Sequence, residues 1–135
     1  MGAGWSKVAQ EDVEERERRG GGASSRDIAG TLGANDMAVR VWRYGPGHEM
    51  AYHRHGSQEE IYQLLSGGPQ EVLVEGETVT VQDGEWLRFH RDTARRIQNR
   101  TDRDAVWLTI GAPPGEGIRD GIRLDPETGE EIPRP

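Results

Sequence analysis

The chain contains no cysteine. Disulfides, thiolate metal sites and a cysteine nucleophile are therefore excluded, and any metal would draw only nitrogen and oxygen ligands from the protein. Lysine occurs once, at Lys7, and every other cation is arginine. No apolar run approaches the ~20 residues of a membrane span. The opening residues Met1 to Lys7 lack the apolar segment of a signal peptide. These absences predict a cytoplasmic protein without a membrane partner. The formal net charge of −7 argues against a nucleic-acid binder, because affinity for phosphate backbones comes mainly from clustered cations. With 135 residues and polar ends, the chain has room for one domain and one modest core. No phosphate-binding glycine loop opens a helix, and no Gly-x-Ser-x-Gly elbow is present.

What is present is period-two alternation from residue 37 onward. Met37, Val39 and Val41 alternate with Ala38, Arg40 and Trp42. Glu75-Gly76 divides two short apolar runs as a tight hairpin would, and Val106, Leu108 and Ile110 point one way on a late strand. Roughly eight strands with turns at close intervals predict an all-β jelly roll or small barrel. Residues 1–24 read as a charged, glycine-rich arm, mobile or loosely docked, because the run from Val8 to Arg19 has almost no apolar face. Ser25 to Gly33 carries a capping residue, two apolar positions four apart and a terminal glycine, the signs of a short helix closing one end of the barrel. Residues 25–112 make the barrel and 113–135 a polar tail or hairpin, lying on the surface or across a partner subunit.

Metal-binding residue types concentrate between Gly47 and Gly67. His53 and His55 are two apart, so on a strand both rings project to one side. Gly56-Ser57-Gln58 reads as a turn, and the return strand from Glu59 could bring a carboxylate back toward the imidazoles. Two imidazoles and one carboxylate form a plausible divalent-metal triad.

This stretch resembles the first motif of the cupins, small β-barrel proteins: Gly, five residues, His-x-His, three or four residues, Glu, six residues, Gly. Gly47, His53, His55, Glu60 and Gly67 fill every fixed position. The family's second motif is only partly kept. Gly84 and Asn99 stand at its ends, but His90 replaces a proline, Asp92 a glycine, and Arg95 the histidine that would be a further metal ligand.

The resemblance implies a jelly-roll barrel and a metal site of His53, His55 and Glu60, holding iron, manganese, nickel or zinc. An inward Arg95 would repel a metal yet attract an anion, so it could anchor a small anionic molecule, with Tyr62, Gln63 and Trp42 as further ligand-facing groups. Alternatively, Arg95 pairs with Glu60 or another acid inside a metal-free barrel. His90 is a further candidate ligand, whereas His48 reads as a solvated loop histidine. Three functions remain open: a metal-dependent oxygenase, isomerase or decarboxylase; a metal-free, non-catalytic binding module; or a structural barrel. By resemblance a homodimer is expected, with Trp42 or Trp107 as interface candidates.

Overall fold

A computed structural model describes residues 4–114 and 120–133. Eleven strands in these residues form two antiparallel sheets that pack face to face. The first sheet comprises β1 (Glu15–Glu17), β2 (Ala23–Asp27), β3 (Ala38–Tyr44), β5 (Glu59–Ser66), β8 (Trp86–Phe89) and β10 (Ala105–Ala112), in the order β1-β2-β3-β10-β5-β8. The second holds β4 (His53–His55), β6 (Gln70–Val74), β7 (Glu77–Val81), β9 (Arg95–Gln98) and β11 (Gly121–Arg123), in the order β11-β4-β9-β6-β7. This is the expected jelly-roll barrel, with three strands, β1, β2 and β11, beyond those read from the sequence.

The core forms where the inner faces meet. Tyr44, Tyr62, Leu64, Val72, Val81, Phe89, Ile97 and Trp107 are buried together. Burying such side chains stabilises the fold by roughly 1.5–3 kcal/mol each relative to exposure. On β10 the inward set is Ala105, Trp107, Thr109 and Gly111, while Val106, Leu108 and Ile110 take the outer face. Alternation separates two sets of residues but does not say which is inside. Trp107 is fully buried, so it cannot serve as the interface residue expected for it. The exposed apolar groups of the outer face are Ile61, Leu65 and, at 55% exposure, Trp86.

The amino-terminal arm is docked over residues 10–17. Glu15 makes ion pairs with Arg26 and Arg43, Val13 is buried, and β1 completes the sheet edge in register with β2. The expected helix is α1 (Ile28–Leu32); its capping residue is Asp27, which accepts from the Gly30 N–H, and Gly33 ends it in the left-handed region. Ser25 lies in β2.

The motif glycines have a backbone cause. Gly67 has φ of 91°, and a Cβ there would collide with the Asp104 carbonyl oxygen. Asn99 is also structural. Its buried amide donates to the Tyr44 and Arg103 carbonyls and accepts from Thr101, closing the turn before β10.

Candidate functional site

The site lies on the seam between the two sheets. β4 carries His53 and His55 on one face, and β5 brings Glu60 opposite them, as the sequence spacing implied. Ligand atoms of the three lie within 4.8 Å of one another. The rings of His53 and His55 meet edge to face, 5.1 Å between centroids.

Each imidazole is oriented through Nδ1. His53 Nδ1 lies 2.8 Å from the Ala51 carbonyl oxygen. A carbonyl only accepts, so Nδ1 carries the proton and Nε2 keeps its lone pair. Burial, then the nearby Arg95 charge, lowers the His53 pKa to about 4, so the ring is neutral at physiological pH. His55 Nδ1 lies 2.9 Å from Asp120 Oδ2, and its Nε2 is 3.2 Å from Glu60 Oε1. Asp120 is fixed in turn by the Ser57 hydroxyl and the backbone N–H groups of Ser57 and Gln58. Burial would raise its pKa, but these bonds and that from His55 outweigh it and keep Asp120 below its ordinary value.

Glu60 Oε1 is the meeting point of the site. It accepts from the Tyr62 hydroxyl at 2.9 Å and from the Arg95 guanidinium, besides facing His55. Burial alone would push the Glu60 carboxyl up, but the His55 hydrogen bond and charge, followed by the Arg95 charge, hold it down at about 2. Burial first, then the Glu60 charge, pushes the Tyr62 phenol well up, so Tyr62 remains a donor.

The remaining predicted residues fall in different places. Arg95 points inward but is 0% exposed. Its terminal nitrogens donate to Glu60 and to the Thr93 carbonyl, so the pairing with Glu60 raised above is the one that forms. Gln63 is not brought to the site, since the strand's alternation turns it away from Glu60 and Tyr62, where it donates to the Gly84 carbonyl. His90 is exposed in the turn after β8, its Nδ1 accepting from the Asp92 N–H. His48 is not a free loop residue, because its ring stacks on Tyr44 at 5.0 Å. Trp42 does face the interior and donates to the Thr109 hydroxyl.

His53, His55, Glu60, Tyr62, Trp42 and Asp120 line one cavity of about 560 Å³, with α1 at its edge. That volume suits a small organic molecule. Sequence reasoning missed Asp120, which follows a polar stretch with no motif to mark it. It also left Arg40 unassigned, although this residue shares the inward face of β3 with Trp42 and lines the cavity.

The donor set fits a divalent transition metal. It offers an ionised carboxylate and two imidazoles whose Nδ1 atoms are held by acceptors, the usual orientation for metal-bound histidines. Nε2 of His53 is free, whereas Nε2 of His55 turns to Glu60, which an ion would have to displace. Arg95 donates to that same carboxylate and would compete with an ion for it.

A cupin domain model matches residues 40–111, more than half of the chain. The protein belongs to the cupin family. Among solved structures it is similar to a sugar phosphate isomerase of the cupin superfamily from Silicibacter pomeroyi, with a TM-score of 0.75, 20% identity, and 89% of this cupin and 87% of that chain covered. The polyketide cyclase RemF from Streptomyces resistomycificus gives a TM-score of 0.72 at 19% identity, covering 85% and 84%. A predicted oxalate decarboxylase from Thermotoga maritima gives 0.68 at 18% identity, covering 80% and 99%. At such identities the likeness concerns the fold. No curated protein matches the sequence. Among the described residues of this cupin, no helix is long and apolar enough to cross a membrane.

Proposed function

We propose that this cupin binds a divalent transition metal through His53, His55 and Glu60 and acts on a small anionic organic molecule in the cavity beside them, as an oxygenase or isomerase. The observation that carries the reading is the tautomer arrangement. Both histidines have Nδ1 on an oxygen acceptor, and both lie with Glu60 around one point. A bound ion would act as a Lewis acid toward a substrate oxygen. The chain's own residues have separate tasks. Asp120 and Ala51 orient the imidazoles, Tyr62 holds a proton against Glu60, and the cavity wall excludes water from part of the ligand. Sugar phosphate and oxalate, named for two of the structural neighbours, are small organic anions, which is consistent with this substrate class.

Elemental analysis of untagged protein and of the His53→Ala/His55→Ala variant tests the metal. About one transition metal per chain, lost in the double variant, is the expected result. No metal in either protein after incubation with iron, manganese, nickel and zinc would refute it. The alternative, a metal-free binding module, is favoured by one observation: Arg95 already neutralises Glu60 without an ion. A homodimer remains part of the proposal, with the outer-face residues Ile61, Leu65 and Trp86 replacing Trp42 and Trp107 as contact candidates.

A further inference from the structure

We propose that Arg40, assisted by Arg18, is the residue that receives the anionic group of the ligand, in a subsite beside Trp42. The inference rests on the reading of the cavity as a small-anion site and identifies which cation serves it. Arg95 is unsuited because both its terminal nitrogens are engaged and it is sealed from the cavity.

The carboxylates lining the cavity already have partners. Asp27 accepts from the Gly30 N–H at the start of α1. Glu60 accepts from Arg95 and Tyr62. Asp120 serves His55, Ser57 and Gln58. Arg40 also lines the cavity, is half-buried, and has no carboxylate partner among the described residues, although Asp27 stands opposite it in the strand register. A partly desolvated guanidinium without an ion-pair partner favours binding of an oxyanion, which its planar fork can grip through two hydrogen bonds.

Arg18 supplies an independent observation. Its guanidinium lies over the Trp42 ring, 4.6 Å from the centroid, and it too has no carboxylate partner among the described residues. Burial, then the Arg40 charge, lowers the Arg18 pKa, so the two cations feel one another. Two like charges held near one indole repel unless an anion lies between or beside them. Trp42 is fixed by its bond to Thr109 and by stacking on Tyr44 at 5.7 Å. The subsite therefore has Trp42 as a rigid floor and Arg40 on the cavity wall, with Arg18 over the indole beside it. The ligand class is a small organic molecule bearing a carboxylate or phosphate, its uncharged part directed toward His53 and His55.

Calorimetric titration of the protein as purified, with inorganic phosphate and separately with malonate, tests the subsite and separates the two oxyanion types. Saturable binding of at least one probe is expected, weakened about tenfold to a hundredfold in Arg40→Gln and less in Arg40→Lys and Arg18→Gln. Circular dichroism and metal content of Arg40→Gln are expected to match the wild type. Equal affinity in folded Arg40→Gln, or no binding of either probe by the wild type, would overturn the assignment. Loss of anion binding with metal retained supports the subsite, whatever the metal's role. Absence of metal with Arg40-dependent anion binding would refute only the metal reading.

Discussion

Asp120 Oδ2 lies 2.9 Å from His55 Nδ1, although 65 residues separate them in the chain. The contact sets which nitrogen of His55 faces Glu60. Asp120 is therefore a positioning residue for the site rather than a ligand. Asp120→Ala is expected to reduce metal affinity about 10–100-fold. Competition with a chromogenic chelator measures this, and an unchanged affinity would show that Asp120 does not orient His55.

Arg95 and Glu60 form a second decisive pair. Removing the cation leaves a mostly buried carboxylate with only Tyr62 and His55 beside it, so metal-free Arg95→Met should be destabilised by about 3 kcal/mol. The same change removes a positive charge from beside Glu60, one of the three proposed metal ligands. Arg95→His goes further, restoring an imidazole where the cupin motif has one, and is expected to raise metal affinity at least tenfold or so. Denaturant titration and chelator competition on the same samples test both effects. A variant that loses stability without gaining metal affinity would refute the competition between Arg95 and the ion.

The depressed pKa values of His53 and Glu60 give the metal-free protein a two-part acid profile. Between the ordinary histidine value of 6.5 and about 4, the unfolded chain binds a proton at His53 that the folded protein refuses. Stability therefore falls as the pH is lowered through that window, by roughly 3 kcal/mol. The Glu60 contribution is present above 4.5 and is lost as pH falls toward about 2. Thermal unfolding of chelator-treated protein should show both declines. His53→Gln should flatten the upper one, and a profile identical to wild type would show that His53 is not its source.

Gly67 tests the motif's backbone logic. With φ of 91° and the Asp104 carbonyl against its missing side chain, Gly67→Ala should lower stability by about 2 kcal/mol or more. Gly76→Ala is the control, since φ of 81° strains it equally but nothing lies within 4 Å of its Cβ. The difference between the two unfolding midpoints isolates the steric contribution, and equal losses would show that the Asp104 contact costs nothing.

The His-x-His spacing, the turn at Gly56 and the return strand to Glu60 were legible because they are local. Strand alternation and a short loop fix which side chains share a face. The alternation also separated Gln63 from Glu60 and Tyr62, although the inward face of β5 could be chosen only once the barrel was closed. Asp120 was not legible as a site residue, because it reaches the cavity beside a strand paired with β4, and a polar residue in a polar stretch leaves no periodic trace. Arg40 shares the alternation of Trp42, but alternation alone does not say which face is inward. The edge strand β1 was hidden for a related reason. Ion pairs from Glu15 to Arg26 and Arg43, rather than an apolar face, help hold it.

β4 joins the rest of its sheet through one register pair, His53 with Arg95, while its other edge carries β11. The two histidines thus ride on the most lightly stitched part of the ladder, and Glu60 belongs to the opposite sheet. Anything gripping all three would act as a rivet across the seam between the two sheets. Amide hydrogen exchange along β4 and β11 would then slow on occupancy, making a backbone signal remote from the chemistry a gauge of whether the site is filled.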